Sequence, residues 1–277
     1  HQDIFAIQNL WAYLLEKQAN RAIFLTPEWQ QIWWQEFAGT DKALRLFLVG
    51  DPAQPIGLAP MMIEGATLTF LGDTDLFDYH DFILGNSDPE VFYPMLTHCL
   101  NLEPWRFISL KSIAEHSPTL KYLPDLFRLD GYRVTVTKED TVPGIHLPNN
   151  WDDYLQLLGK KDRHELRRKF RRLDSIGEFA LVESRLEDLG DNIEKFIQMM
   201  TESREDKRDF MLPERERFFR SMAFAMGKEG YLRLMFLELE GEKVAAVVCF
   251  DYANTRFLYN SGYRLEYRHY AVGLLLK

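Results

Sequence analysis

Three stretches of the chain concentrate side chains able to do chemistry. In LFDYHDF (76–82) a carboxylate, a phenol and an imidazole follow one another at Asp78, Tyr79 and His80, with a second carboxylate at Asp81. Such a set can move protons or hold a substrate. The same residue types also fix loop geometry through local hydrogen bonds, so both readings stand. GKKDRHELRRKFRRL (159–173) carries eight basic residues against two acidic ones, a local +6. Guanidinium groups bind phosphate oxygens in bidentate fashion, which makes Lys161, Arg163, Arg167 and Arg168 candidates for an anion or substrate platform. A solvated basic face offset by acidic neighbours explains the same composition. A membrane-surface helix fits less well, because the apolar stripe is too narrow to serve a core and a bilayer together. The third stretch, RHYAVG (268–273), joins a strand to a helix start. Unpaired backbone N–H groups and a partial positive charge at such a start suit a pyrophosphate, although many strand-to-helix loops contain a glycine with no ligand.

Several chemistries are disfavoured. No GxSxG elbow, P-loop, HExxH or glycine-rich dinucleotide fingerprint occurs, which argues against hydrolase, NTPase, zinc-protease and Rossmann dehydrogenase activities. The two cysteines, Cys99 and Cys249, lack any ligand spacing, so no metal is expected and both read as free thiols in a reducing compartment. Lys+Arg 33 against Asp+Glu 42 gives a net charge of −9, which argues against a broadly basic nucleic-acid binder while permitting a local basic patch. The longest apolar run, VAAVVCF (244–250), is far short of the ~20 residues a membrane span requires. A cytoplasmic location is expected.

The elements that must position these residues follow from periodicity. The length gives roughly two domains at about 150 residues each. Ile4, Ile7, Trp11, Leu14 and Leu15 share one helical face. Thr26-Pro27 opens a second helix striped by Trp29, Ile32, Trp33 and Phe37. Strands are expected at 44–50, 55–63 and 66–72, a helix near 88–101, a strand at 106–110, a helix entered through Ser117-Pro118, and a further strand at 131–137. The segment DTVPGIHLPNN (140–150) reads as a domain boundary. Beyond it the pattern predicts helices near 151–158 and 160–175 and a strand at 179–183. Two helices follow, carrying Ile193, Phe196, Ile197 and Met200, then Phe218, Phe219, Met222 and Met226. Three hairpin-linked strands at 231–239, 243–252 and 255–263 lead to a final helix start at 271–277. The fold class is α+β with mixed sheets. Leu166, Phe170 and Leu173 fix the inner face of the basic helix.

Laid out this way, the chain resembles the GNAT-like acetyltransferase group described as CelD/BcsL, associated with bacterial cellulose biosynthesis. The points of similarity are FLTPEWQQIWW (24–34), IGLAPM (56–61), FLGDTDLFDYHDF (70–82), the LP…W..YL stretch at 147–155, the basic segment, and the run from GYLRLMFLELEGEKVAAVVCFDY to LYNSGY. The resemblance implies tandem GNAT-like (acyl-CoA N-acyltransferase) domains, 1–143 and 144–277, akin to the Fem-type aminoacyltransferases. Family members continue with another strand, so the second domain is expected to be truncated at its C-terminus. RHYAVG is similar to the GNAT pyrophosphate loop R/Q-x-x-G-x-G/A at Arg268 and Gly273, with Ala271 in place of the first glycine. Backbone N–H groups near Tyr259, Asn260 and Ser261 are the implied carbonyl-polarising group, and Asp78 or Tyr79 the implied base. The implied function is transfer of an acyl group from acetyl-CoA or another acyl-CoA to an amine or hydroxyl. The acceptor would be a small molecule or polysaccharide precursor of exopolysaccharide or cell-envelope metabolism. Two alternatives stay open. One is a Fem-like transferase using aminoacyl-tRNA on a cell-wall precursor, favoured by the basic helix. The other is a non-catalytic GNAT-like binding module, with Trp29, Trp33, Trp34 and Tyr79 stacking on sugar rings or, alternatively, simply packing a core.

Overall fold

Helix starts in this chain are set by local side chains. In the computed structural model, which describes residues 3–51 and 53–277, Thr26 accepts the Trp29 amide at the head of α2 (Pro27–Phe37), with Pro27 in the first turn. Asp88 caps α3 (Pro89–Asn101), Ser117 caps α4 (Pro118–Leu129) and Asn150 caps α5 (Trp151–Leu157) in the same manner. Each cap satisfies a backbone donor that the helix itself cannot.

The chain forms two units, His1–Val142 and Pro143–Lys277. In the first, β1 (Lys42–Asp51), β2 (Gln54–Glu64) and β3 (Thr67–Phe70) run antiparallel, and β4 (Phe107–Ser109) joins β3 in parallel. Helix α3 lies on β1 and β2 and carries α4. Phe82, Phe92, Tyr93, Leu96, Leu123 and Phe127 fill that layer. Helix α1 (Gln8–Glu16) packs against β2. Trp29 and Trp33 are 0% and 2% exposed, so they are core residues and not a sugar-stacking surface.

The strand expected at 131–137 does not form. The Val-Thr-Val alternation supplies strand propensity, but among the described residues the segment pairs with no sheet, and its inward contacts are Val134 on the core and the Tyr132 ring against Trp105 and Phe127. A strand needs a free edge to pair with, which a local pattern cannot reveal.

The second unit holds an antiparallel sheet in the order β5 (Phe179–Glu183), β6 (Leu232–Leu239), β7 (Glu242–Tyr252), β8 (Thr255–Tyr263). On one face Ala245, Val247 and Cys249 meet Leu173 of the basic helix α6 (Lys160–Asp174) and Val272 and Leu276 at the last helix, α10 (Val272–Leu275). On the other lie α7 (Leu189–Ser203) and α9 (Pro213–Lys228), joined by α8 (Glu205–Phe210), a short helix absent from the expected elements. Helix α7 rides so closely on β8 that a Cβ at Gly262 would stand 2.3 Å from the Met200 amide nitrogen.

Candidate functional site

Strand β8 ends the sheet order and carries a β-bulge. Val248 pairs with Asn260 and Cys249 with Leu258, leaving Tyr259 as the extra residue. Bulges re-aim side chains. Here the Tyr259 ring meets Phe219 of α9 at 5.7 Å and Phe250 at 5.4 Å. Asn260 turns toward α8, where its Oδ1 accepts Lys207 Nζ at 3.0 Å and the Ser261 amide at 2.8 Å. Lys207 Nζ also donates to the Ser261 carbonyl. The three residues expected near a reacting carbonyl are consecutive in β8, and the structure adds two features beside them. The Ser261 amide is engaged by its neighbour's side chain, and a lysine stands over the bulge. Burial lowers the Lys207 pKa to about 8, helped by the positive charges of Lys277 and Arg204 and opposed by Asp206. No spacing rule links residues 207 and 260, so sequence reasoning passed Lys207 by.

Beyond β8 a 3-10 turn (Leu265–Tyr270) delivers the chain to α10 through Ala271, whose φ of 58° and ψ of 31° are left-handed. A non-glycine residue pays roughly 1–2 kcal/mol there, which is the physical reason for the glycine that the motif places at this position. The Leu274 and Leu275 amides return to the Ala271 carbonyl, while those of Val272 and Gly273 have no partner among the described residues. A left-handed residue followed by free amides forms an anion-binding concavity. Arg268 is exposed beside it, with no side-chain partner among the described residues. Gly273 has a packing reason of its own, since a Cβ there would lie 2.9 Å from Tyr263 Cδ1. The Arg172 guanidinium, 5.3 Å from the Tyr270 ring centroid, ties α6 to this turn.

The same unit contains a cleft of about 730 Å³ lined by Lys195, Met199, Glu202, Arg208, Glu242 and Arg264 among others. Arg264 is paired with Glu242 and Glu266. On α6, Arg168 pairs with Glu165 at 2.7 Å and Arg163 donates to Gln156. Lys160, Lys161 and Arg167 have no carboxylate partner among the described residues. The solvent face of α6 therefore keeps uncompensated positive charge.

In the first unit the acidic loop divides its residues between architecture and surface. Asp73 accepts Trp33 Nε1 at 2.6 Å and two amides of its own turn. Asp81 accepts Ser117 Oγ and Thr119 Oγ1, both at 2.5 Å, locking the loop to the start of α4. His80 is buried between Phe70 and Phe77, centroids 5.5 and 4.5 Å away, and neither ring nitrogen has a hydrogen-bond partner among the described residues. Burial depresses its pKa to about 3, so the imidazole is neutral. Asp78 is exposed at the loop crest, and loss of neighbouring water raises its carboxyl above the ordinary range. Tyr79 is half-buried, and its phenol is pushed up first by desolvation and then by the Asp78 charge. Asp78 has no hydrogen-bond or ion-pair partner among the described residues, whereas Asp81 and His80 are committed to the loop.

Residues 160–277 match the family model described as an acetyltransferase (GNAT) domain. The match takes in α6, the bulged strand and the Ala271 turn. Among solved structures, FemX superposes with a TM-score of 0.67 at 12% identity, covering 97% of this chain and 82% of that one. The chain shares the FemX fold. A conserved protein of unknown function from Bacteroides thetaiotaomicron gives a TM-score of 0.54 at 14% identity, covering 90% of this chain and 74% of that one. No curated protein matches the sequence. Within the FemX-type fold, no helix among the described residues is long and apolar enough to cross a membrane.

Proposed function

We propose that the protein is an acyltransferase that moves an acyl group from acyl-CoA to an amine or hydroxyl acceptor. The observation that carries this reading is the left-handed turn at Ala271, which opens α10 with unpartnered Val272 and Gly273 amides beside an exposed Arg268. The amides and the guanidinium would hold the diphosphate of the donor, with charge-assisted bonds from Arg268. Amides of Tyr259 and Asn260 at the β8 bulge would polarise the thioester carbonyl, the step where fixed donors contribute most. The resemblance to the CelD/BcsL group directs the search for acceptors to exopolysaccharide and cell-envelope precursors in the cytoplasm.

Isothermal titration with acetyl-CoA tests the reading. Micromolar, stoichiometric binding is expected, and Arg268→Ala should weaken it about tenfold, as loss of one charge-assisted phosphate contact does. No binding to the intact protein would sink the proposal. A second reading, a Fem-like transferase fed by aminoacyl-tRNA, is favoured by the unpaired cations of α6. It predicts tRNA binding that falls steeply with salt and is lost in the double variant Arg167→Ala, Arg168→Ala, whereas a CoA site with few phosphates has a shallower slope.

A further inference from the structure

Lys207 is held in an unusual way. It projects from α8, a six-residue helix with no buried side chain of its own, across to the bulge of β8. Two of the three directions around its Nζ are taken, by Asn260 Oδ1 at 3.0 Å and by the Ser261 carbonyl. Neither acceptor is ionised, and the adjacent Asp206 is committed to an ion pair with Arg204 at 2.8 Å. The ammonium is therefore fixed in position by neutral oxygens and keeps one N–H unspent. Asn260, which holds it, and Tyr259 one residue before it in β8 are the residues whose amides face the reacting carbonyl in the acyltransferase reading.

We propose that Lys207 is a catalytic residue of acyl transfer, the acid that protonates the departing thiolate. This rests on the acyl-CoA reading above and adds a group to it. As the acceptor's nucleophilic atom bonds to the acyl carbon, the carbon–sulfur bond breaks and its electron pair goes to sulfur. The unspent N–H of Lys207 delivers a proton to that sulfur, giving the free thiol. The neutral amine, still donating to Asn260 and Ser261, then regains a proton from solvent. The match of acidities favours the role: thiols titrate near about 8.5 and Lys207 is lowered to about 8, whereas an ordinary lysine near 10.4 would hold its proton too tightly. The charged groups around it are Lys277 and Arg204, which ease proton loss, and Asp206, which opposes it.

The test uses the whole chain with acetyl-CoA and lets water take the acyl group in place of the acceptor. Labelling by a succinimidyl ester across pH 6–11, read by mass spectrometry, should give Lys207 a midpoint near 8, and saturating acetyl-CoA should slow its labelling at least tenfold while leaving Lys160 and Lys161 unaffected. Lys207→Arg keeps a cation and both hydrogen bonds but has no proton to release, so thiol release from acetyl-CoA should fall about 100-fold with donor affinity unchanged. The loss of wild-type activity above pH 8 should disappear in that variant. Bound acetyl-CoA that gives Lys207 no protection, or Lys207→Arg within threefold of wild type, overturns the proposal. Failure of acetyl-CoA to bind at all defeats the acyltransferase reading itself, which titration reports separately.

Discussion

His80 sits where protonation is forbidden. Its ring lies within 13° of parallel to Phe70 and Phe77, and both nitrogens lack partners among the described residues. The native state resists the proton down to about pH 3, while the unfolded chain takes one near 6.5. Its contribution to stability is therefore complete above pH 6.5 and declines as pH falls toward 3, by roughly 1.4 kcal/mol per pH unit. At pH 5 the loss is about 2 kcal/mol relative to pH 7.5. We expect His80→Leu, which removes the titrating group at similar volume, to flatten that difference in denaturant melts. An unchanged acid slope in the variant would show that the imidazole is hydrated in solution. The sequence exhibited Asp78, Tyr79, His80 and Asp81 as one cluster of chemical types. It could not show that His80 and Asp81 turn inward, because that depends on Phe70, Ser117 and Thr119, residues from β3 and the start of α4.

Among the elements, the tightest junction is α7 against β8. Gly262 pairs with Ala246 on the sheet face that receives the helix, and its hydrogen occupies the only space left by the Met199–Met200 backbone. Gly262→Ala forces backbone apart rather than a flexible side chain. A loss of about 3 kcal/mol, at the upper end of the range for overpacking, is expected in urea unfolding. A change below 0.5 kcal/mol would mean that α7 stands further from β8 than described. Elements governed by neighbours in sequence were legible: Thr26-Pro27 and Ser117-Pro118 mark helix starts because a cap acts over three residues. The stretch at 131–137 misled, since its alternation is real and its missing partner is not local. Helix α8 escaped notice for the opposite reason. Its six residues bury nothing, leaving no hydrophobic period to read, and Lys207 finds Asn260 only once β8 is placed.

For the molecule as a whole, the stretch from Arg133 to Pro148 carries no regular structure, and most of its residues are exposed. Trypsin should cut first after Arg133 or Lys138, giving two fragments close to the sizes of the two units. First cleavage elsewhere, for instance within α6, would show that the linker is better protected than its exposure implies. The family match covers the second unit from α6 onward, and the resemblance in the first unit rests on short segments of α2, β2 and the acidic loop, which is why Asp78 and Tyr79 were the least legible of the candidate residues. Charge gives the molecule a further property. Eight cations stand on the fifteen residues of α6 in a chain of net −9, so positive charge is concentrated on one helix of an otherwise acidic chain. At low ionic strength the field of that charge reaches beyond contact, about 10 Å at 0.1 M salt. A diffusing polyanion thus exerts a torque before it touches anything, and turns the molecule α6-first. Encounter with such a partner is a docking with a heading rather than a random collision, and added salt removes the heading before it removes the bond.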